Sequence, residues 1–306
     1  MLSAHILFKM KKLFHSNHYI YLSIFRILIS IHVFKKYLQL FFNKDLITDA
    51  TFLKAAPVNP IFQIFGIQQS TIFQNINIIL SIIMLLSILF AFGIFRYFTP
   101  LLLYISVEIV QRAYPFILNG GDNLLKFLLL YMIFTDCYRY FTLNNSTGQK
   151  KDSISYFVNQ ISVLSIKIHL SLIYFVSAIF KLNAKVWFSG VATYYTLQLE
   201  RFKGTEMNNI LAKNGIFVTL STYITLIWEL AFPFLAWHKT GKYVVFALGI
   251  MIHLGIYIFM MIHDFEILFM MCYGFFISDE EWKKAGAYFQ KITLLFKRKI
   301  FSKEYA

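Results

Sequence analysis

The chain has 306 residues, of which 58% are hydrophobic, 19% aromatic and only 14% charged, against roughly 25% charged in ordinary soluble domains. Apolar runs of about 20 residues, the length that crosses a bilayer core as helix, recur from Tyr19 to Ser278 and exclude a sizeable soluble domain. The formal charge of +14 would elsewhere point to nucleic acid, but the basic residues here flank apolar runs, which reads as membrane topology and implies no nucleic-acid partner.

In chain order, residues 1–16 form a cytoplasmic N-terminal segment carrying Lys9, Lys11 and Lys12. With no short apolar core ahead of a small-residue cleavage site, it reads as a retained signal anchor. Residues 17–278 read as a single transmembrane domain, and residues 279–306 as a basic amphipathic tail. The first span covers 17–42 and holds Arg26, His32, Lys35 and Lys36. A loop with Pro57 and Pro60 leads to the cleanest span, 71–93.

The third span, 97–118, carries Glu108, Gln111 and Arg112, and Pro115 should kink or end it. The Asn119-Gly120-Gly121-Asp122 turn follows, with Asp122 expected to cap a fourth span reaching 141. After a polar loop, the fifth span covers 157–181. The segment 182–214 is too polar to cross and rich in aromatics, among them Trp187, so it reads as interfacial or re-entrant. Spans at 216–237 and 242–262 follow, then a run at 265–278 that is either a tilted eighth span or a half-helix. The expected fold is thus all-α: a polytopic helical bundle of seven or eight spans in the lipid bilayer, with the N-terminus cytoplasmic. Cys137 and Cys272 lie far apart with no C-x-x-C, which gives neither a disulfide framework nor a metal site.

A charge inside a span costs roughly 2.5–3.5 kcal/mol on insertion scales and needs a partner or a use. Glu108 and Arg112, four residues apart, share a helix face, either as an internal ion pair or as a substrate-binding pair. Lys167, Tyr174 and Lys181 fall on one arc of the fifth span beside Ser171, Ser177 and Ala178. Lys181, at the exit of that span, is either a lysine snorkelling to the headgroups or a partly desolvated base. Glu229 precedes Pro233 by four residues, which frees its carbonyl and makes either a polar site or a plain kink. Gly249, His253 and Tyr257 recur every four residues, so His253 is a structural hydrogen-bonder or a catalytic ring. No P-loop, zinc-protease, serine-hydrolase or dinucleotide motif is present.

The stretch YFVSAIFKLNAKVWFSG, Tyr174 to Gly190, resembles a pattern of the vitamin K-dependent γ-glutamyl carboxylases and their bacterial relatives, the horizontally transferred transmembrane (HTTM) domain proteins. Arg26, NGGDNLLKFLLLYMIFTD, WELAFPFLAW and the His253 run follow the same family order. The resemblance implies that Lys181 activates a reduced quinone of the vitamin K type. Asp122 and Asn123 stand where the carboxylases place a histidine. It covers the membrane core and implies a small membrane protein that modifies or matures a secreted peptide, with a companion maturation protein. The rivals are a non-catalytic membrane partner or immunity factor for a peptide toxin, and a small transporter relaying protons through Glu229 and His253.

Overall fold

The computed structural model describes residues 17–45, 60–66, 68–143 and 153–301. The basic N-terminal segment, the loop around Pro57 and the Lys150-Lys151 loop lie outside the described residues. Among those described there are helices and no strand. Three helices are long and apolar enough to cross a membrane: Ile154–Leu182, Gly215–Leu235 and Gly241–Met260. A third or less of each apolar window is buried inside the molecule, so most of their surface is outward-facing Ile, Leu, Val and Phe.

The first half of the bundle begins with α1, Tyr19–Phe42. Leu22, Phe25, Arg26, Ile29, Val33 and Tyr37 fall on one stripe of it and are all buried. Two short helices, α2 (Pro60–Ile64) and α3 (Gln69–Gln74), lead to α4, Ile76–Phe92, which packs along α1. The expected span at 71–93 is therefore broken at Asn75, whose backbone leaves helical values. α4 ends at Gly93, which adopts φ +72° and takes the left-handed cap that a helix C-terminus favours.

Helix α5, Phe98–Ala113, stops before Pro115, whose missing N–H and ring oppose continuation. Helix α6 covers Gly120–Ile133 and is capped by Asn119, not by Asp122. The Asn119 side chain accepts from Gly121 N at 2.8 Å, while Asp122 reaches back to Asn119 N at 2.9 Å, so Asp122 is the third-position partner of a capping box. The fourth expected span ends at 133 rather than 141, because residues 134–142 turn back under α1.

That turn is held by Arg26. Its guanidinium donates to the carbonyls of Cys137, at 3.0 Å, Tyr140 and Phe141, and lies 5.5 Å over the Tyr138 ring. A Cβ on Gly93 would meet Arg26 Nη1 and Thr142 Cγ2, both at 2.7 Å. Arg26 is thus a structural bolt between α1 and the end of α6.

The second half contains α7 (Ser153–Leu182), α11 (Gly215–Leu235) and α12 (Gly241–Met260). Between α7 and α11 the chain forms three short helices, α8 (Lys185–Phe188), α9 (Ala192–Gln198) and α10 (Met207–Lys213). The last apolar run becomes α13, His263–Cys272, followed by a 3-10 turn at Tyr273–Phe276. Short and deeply buried, α13 touches α1, α6, α7 and α12, and so joins the two halves.

The final helix, α14 (Asp279–Phe301), opens with a second capping box between Ser278 and Glu281. Asp279 accepts from the backbone N–H of Tyr19 and Ile20, at 3.0 and 2.9 Å, at the start of α1. Glu281 accepts both its bonds to Lys242 at 2.7 and 2.8 Å, which ties α14 to the start of α12. Beside them Lys167 donates to His18 Nε2 at 2.9 Å, and His18 Nδ1 is 3.0 Å from the Ile277 carbonyl. Four chain segments are therefore clasped at one end of the bundle.

Three outcomes follow for stability in detergent. Arg26→Leu leaves buried carbonyls unpaired and should cost about 2–4 kcal/mol, and Gly93→Ala should also lower the thermal midpoint through its left-handed backbone and the clash with Arg26. At the clasp, burial acts to raise the Glu281 carboxyl, but the bonds from Lys242 and Ser278 outweigh it and bring its pKa down to about 2. A carboxyl depressed in the folded state stabilises above its ordinary value of about 4.3 and loses that contribution as pH falls toward the folded value. The stability gap between wild type and Glu281→Gln should therefore be constant from pH 7 to 5 and close as pH approaches 2.

Candidate functional site

Where α7 meets α11, the small residues of the α7 arc let the helices approach: Ala178 is fully buried, and Ser177 and Ser171 reach across. The register follows from two contacts. Trp237 Nε1 donates to Ser171 Oγ at 3.3 Å, and Ser177 Oγ donates to Glu229 Oε1 at 3.3 Å. Antiparallel pairing in this register sets the last turn of α7 beside the middle of α11. Lys181 therefore lies level with the interior of a spanning helix. Its ammonium is paired with Glu229 Oε1 and sits 4.6 Å over the Trp187 ring of α8.

The Lys181 side chain keeps 22% of its surface open, whereas Glu229 keeps 8%. The site is thus reached from the lysine side and closed behind the carboxylate. Glu229 Oε2 is buried and has no hydrogen-bond partner among the described residues. A buried carboxylate oxygen without a donor is costly.

A second group lies alongside. Tyr174, about two helical turns before Lys181 on the same face of α7, has its hydroxyl 2.8 Å from His253 Nε2 and 3.0 Å from the Tyr273 hydroxyl. His253 Nδ1 bonds Glu266 of α13. With Glu266 as acceptor, Nδ1 carries the proton, Nε2 accepts from Tyr174, and Tyr174 accepts from Tyr273. Trp228 and Phe232, with ring centroids 4.7 and 4.5 Å from Tyr174, and Phe269 at 5.6 Å wall this chain of bonds. Gly249 makes room for it: a Cβ there would meet Trp228 Cζ2 at 2.5 Å and the Tyr273 hydroxyl at 2.6 Å. Glu266 Oε1 is also buried without a partner among the described residues.

Of the residues singled out in the sequence, Lys181, Glu229, His253 and Trp187 are brought into one layer of the bundle. The others are elsewhere. Glu108 and Arg112 pair with each other along α5. Asp122 pairs with Lys36, and Gln111 Nε2 lies 3.4 Å from its carbonyl, so it ties α6 to α1 and α5. Asn123 is exposed. Tyr257 packs on His263 at 4.4 Å between centroids and takes no part in the His253 bonds.

Sequence reasoning missed Glu266 and Tyr273 as site residues, and noted Tyr174 only as part of the α7 arc. The signal for Glu266 was present: it is a carboxylate inside an apolar run, and the rule applied to Glu229 applies equally to it. The orientation of Tyr174 and Tyr273 had no sequence signal, because a tyrosine in an aromatic-rich helix is ordinarily core.

Among the described residues no group of three His, Cys, Asp or Glu could hold a metal ion. The site instead offers two carboxyls, one ammonium, one imidazole and two phenols. Taken together they are neutral when one mobile proton rests on His253 or on a carboxyl, so a proton can move among these groups without changing the net buried charge. Compared with protein-family models, curated proteins and solved structures, the chain matches none.

Breaking the pair one partner at a time should expose its cost. Glu229→Leu leaves the Lys181 ammonium uncompensated and should destabilise the detergent-solubilised protein by about 3–5 kcal/mol, whereas Lys181→Met with Glu229→Leu should recover much of that loss. Thermal unfolding of the two variants beside wild type measures both.

Proposed function

We propose that this chain is a multi-pass cell-membrane enzyme of the HTTM, carboxylase-like kind that acts in modifying or maturing a secreted peptide, with a reduced quinone as co-substrate. One observation carries this reading: Lys181, Glu229 and His253, which lie on three separate helices, converge with Glu266 on one buried layer that retains two unpartnered carboxylate oxygens. Arg26 Nε is likewise without a partner in a structural contact, so it is the meeting of the four ionisable groups, more than the oxygens alone, that supports the reading.

In the proposed topology, α1, α4, α5, α6, α11 and α12 cross the bilayer, α7 enters from the clasped face and ends within it, and α13 with the turn after it returns the chain to that face, the N-terminus and the clasped end being cytoplasmic. The segment from α8 to α10 is re-entrant. Its support is the packing against the first half of α11 and the end of α12: Thr193 N donates to Thr222 Oγ1 at 3.1 Å, and Gly204 N to the Phe259 carbonyl at 3.0 Å. In this reading Lys181 lies at membrane depth, with the short helices covering the opening on its far side.

The chemistry of these residues would suit a hydroquinone: Trp187 would offer a ring face beside Lys181, and Glu229 and Glu266 would accept from its hydroxyl groups. Bound there, a reduced quinone would supply hydroxyl protons and two electrons, the latter to an oxidant such as dioxygen. Lys181 serves as the base once its own proton has moved to Glu229, a transfer within a hydrogen bond that leaves no net charge buried. Ser177 holds Glu229 in place, and Glu266 keeps the His253 tautomer whose Nε2 accepts from Tyr174. In this reading the secreted peptide and a companion maturation protein meet the chain at the re-entrant segment.

A second reading is favoured by the Lys181 and Glu229 pair itself, which would equally lock α7 to α11 in a non-catalytic partner or immunity factor for a peptide toxin. Mass spectrometry of secreted peptides from cells carrying wild type, Lys181→Met with Glu229→Leu, or no protein separates the two. The enzyme reading expects a covalent mass change seen only with wild type. Identical peptides from wild-type and double-variant cells, with maturation lost only on deletion, would leave the partner reading standing.

A further inference from the structure

We infer that α14 is an interfacial helix that docks on an anionic lipid surface next to the clasped end of the bundle. The first turn of α14 is fixed to the protein by Asp279, Glu281 and Trp282. The Trp282 ring stacks on Tyr21 of α1 with centroids 5.5 Å apart and planes 3° from parallel. Beyond that point the described side chains are largely open: Lys283, Lys284, Tyr288 and Lys291 are all exposed. The helix nevertheless continues to Phe301, roughly 28 Å past Trp282 at 1.5 Å per residue.

Its sequence is not that of a solvated helix. At 100° per residue, positions 285, 289, 292 and 296 follow Trp282 on one face as Ala, Phe, Ile and Phe, with Leu295 and Tyr288 at its edge. Lys283, Lys284, Lys291, Lys297 and Arg298 fall on the opposite side, together with Leu294, while Lys299 falls at the edge of the apolar stripe. All three acids of the helix, Asp279, Glu280 and Glu281, fall in its first turn, and two of them are engaged in the clasp. From 282 to 301 there is no acidic residue to neutralise the basic face.

Charge and position together choose the occupant. By sequence period the apolar positions follow Trp282, which itself packs against Tyr21 of α1. An apolar stripe backed by uncompensated lysines and arginine matches a leaflet containing anionic lipid, into which the stripe sinks while long basic side chains reach the headgroups. Neutral lipid offers the stripe but no counter-charge. A protein partner or second copy would have to supply an acidic groove, and this chain is itself strongly basic.

The test uses the full chain reconstituted in vesicles of neutral phosphatidylcholine or of phosphatidylcholine with phosphatidylglycerol. An environment-sensitive fluorophore is placed at Ile292→Cys on the apolar stripe and, separately, at Gln290→Cys on the polar side; native Cys137 and Cys272 are fully buried. The expected result is a blue shift and an increase of about two-fold or more at 292, only in anionic vesicles and reversed by high salt, with 290 remaining water-like. Lys283→Gln, Lys284→Gln and Lys291→Gln together should abolish it without changing thermal unfolding of the bundle. Equal burial of 292 in both lipids, burial that persists in the triple variant, or a water-like 292 in both would overturn the proposal; the first two outcomes would direct the search to protein on that face.

Discussion

Every ionisable group placed inside an apolar helical bundle must find a counter-charge or hydrogen-bond partners there, and this one constraint organises the molecule. Arg26 spends its donors on the carbonyls of the turn after α6. Asp122 meets Lys36, Lys242 meets Glu281, and Lys181 meets Glu229. Each pairing joins helices distant in sequence, so the polar contacts specify which helices are neighbours while the apolar surfaces supply most of the cohesion.

Helix α13 is where these requirements meet. It is too short to cross a bilayer and is buried among α1, α6, α7 and α12. Glu266 on it fixes His253 of α12, and Tyr273 just beyond it bonds Tyr174 of α7. The half-helix thus builds the rear of the candidate site and unites the two halves of the bundle at once. Pro233 plays a smaller part: it lies within α11, whose helical run continues past it to Leu235, one turn beyond Glu229.

The two ends of the bundle differ in kind. One is closed by the clasp of His18, Lys167, Lys242, Asp279 and Glu281, all held by bonds within the protein. The candidate site is placed further along, where α7 stops beside the middle of α11 and leaves a fifth of the Lys181 side chain accessible. Truncating one helix inside the bundle is what allows a charged group to be both paired and reachable.

The sequence by itself determined the helices and their polarity. Apolar runs bounded by Asn214, Gly241 and the Asn119 turn mark α11, α12 and the start of α6 to within a residue or two, because helix ends obey local capping rules. It also marked Lys181, Glu229 and His253, since an ionisable group in an apolar run is conspicuous wherever it points. The break at Asn75 and the early end of α6 were not legible, because apolar residues there serve a turn as readily as a helix. Only the tertiary structure decided the pairings. Lys181 and Glu229 are 48 residues apart, and Tyr174 and Tyr273 are 99 apart. Whether such groups share one buried layer depends on helix register and on where α7 ends, which no local periodicity encodes.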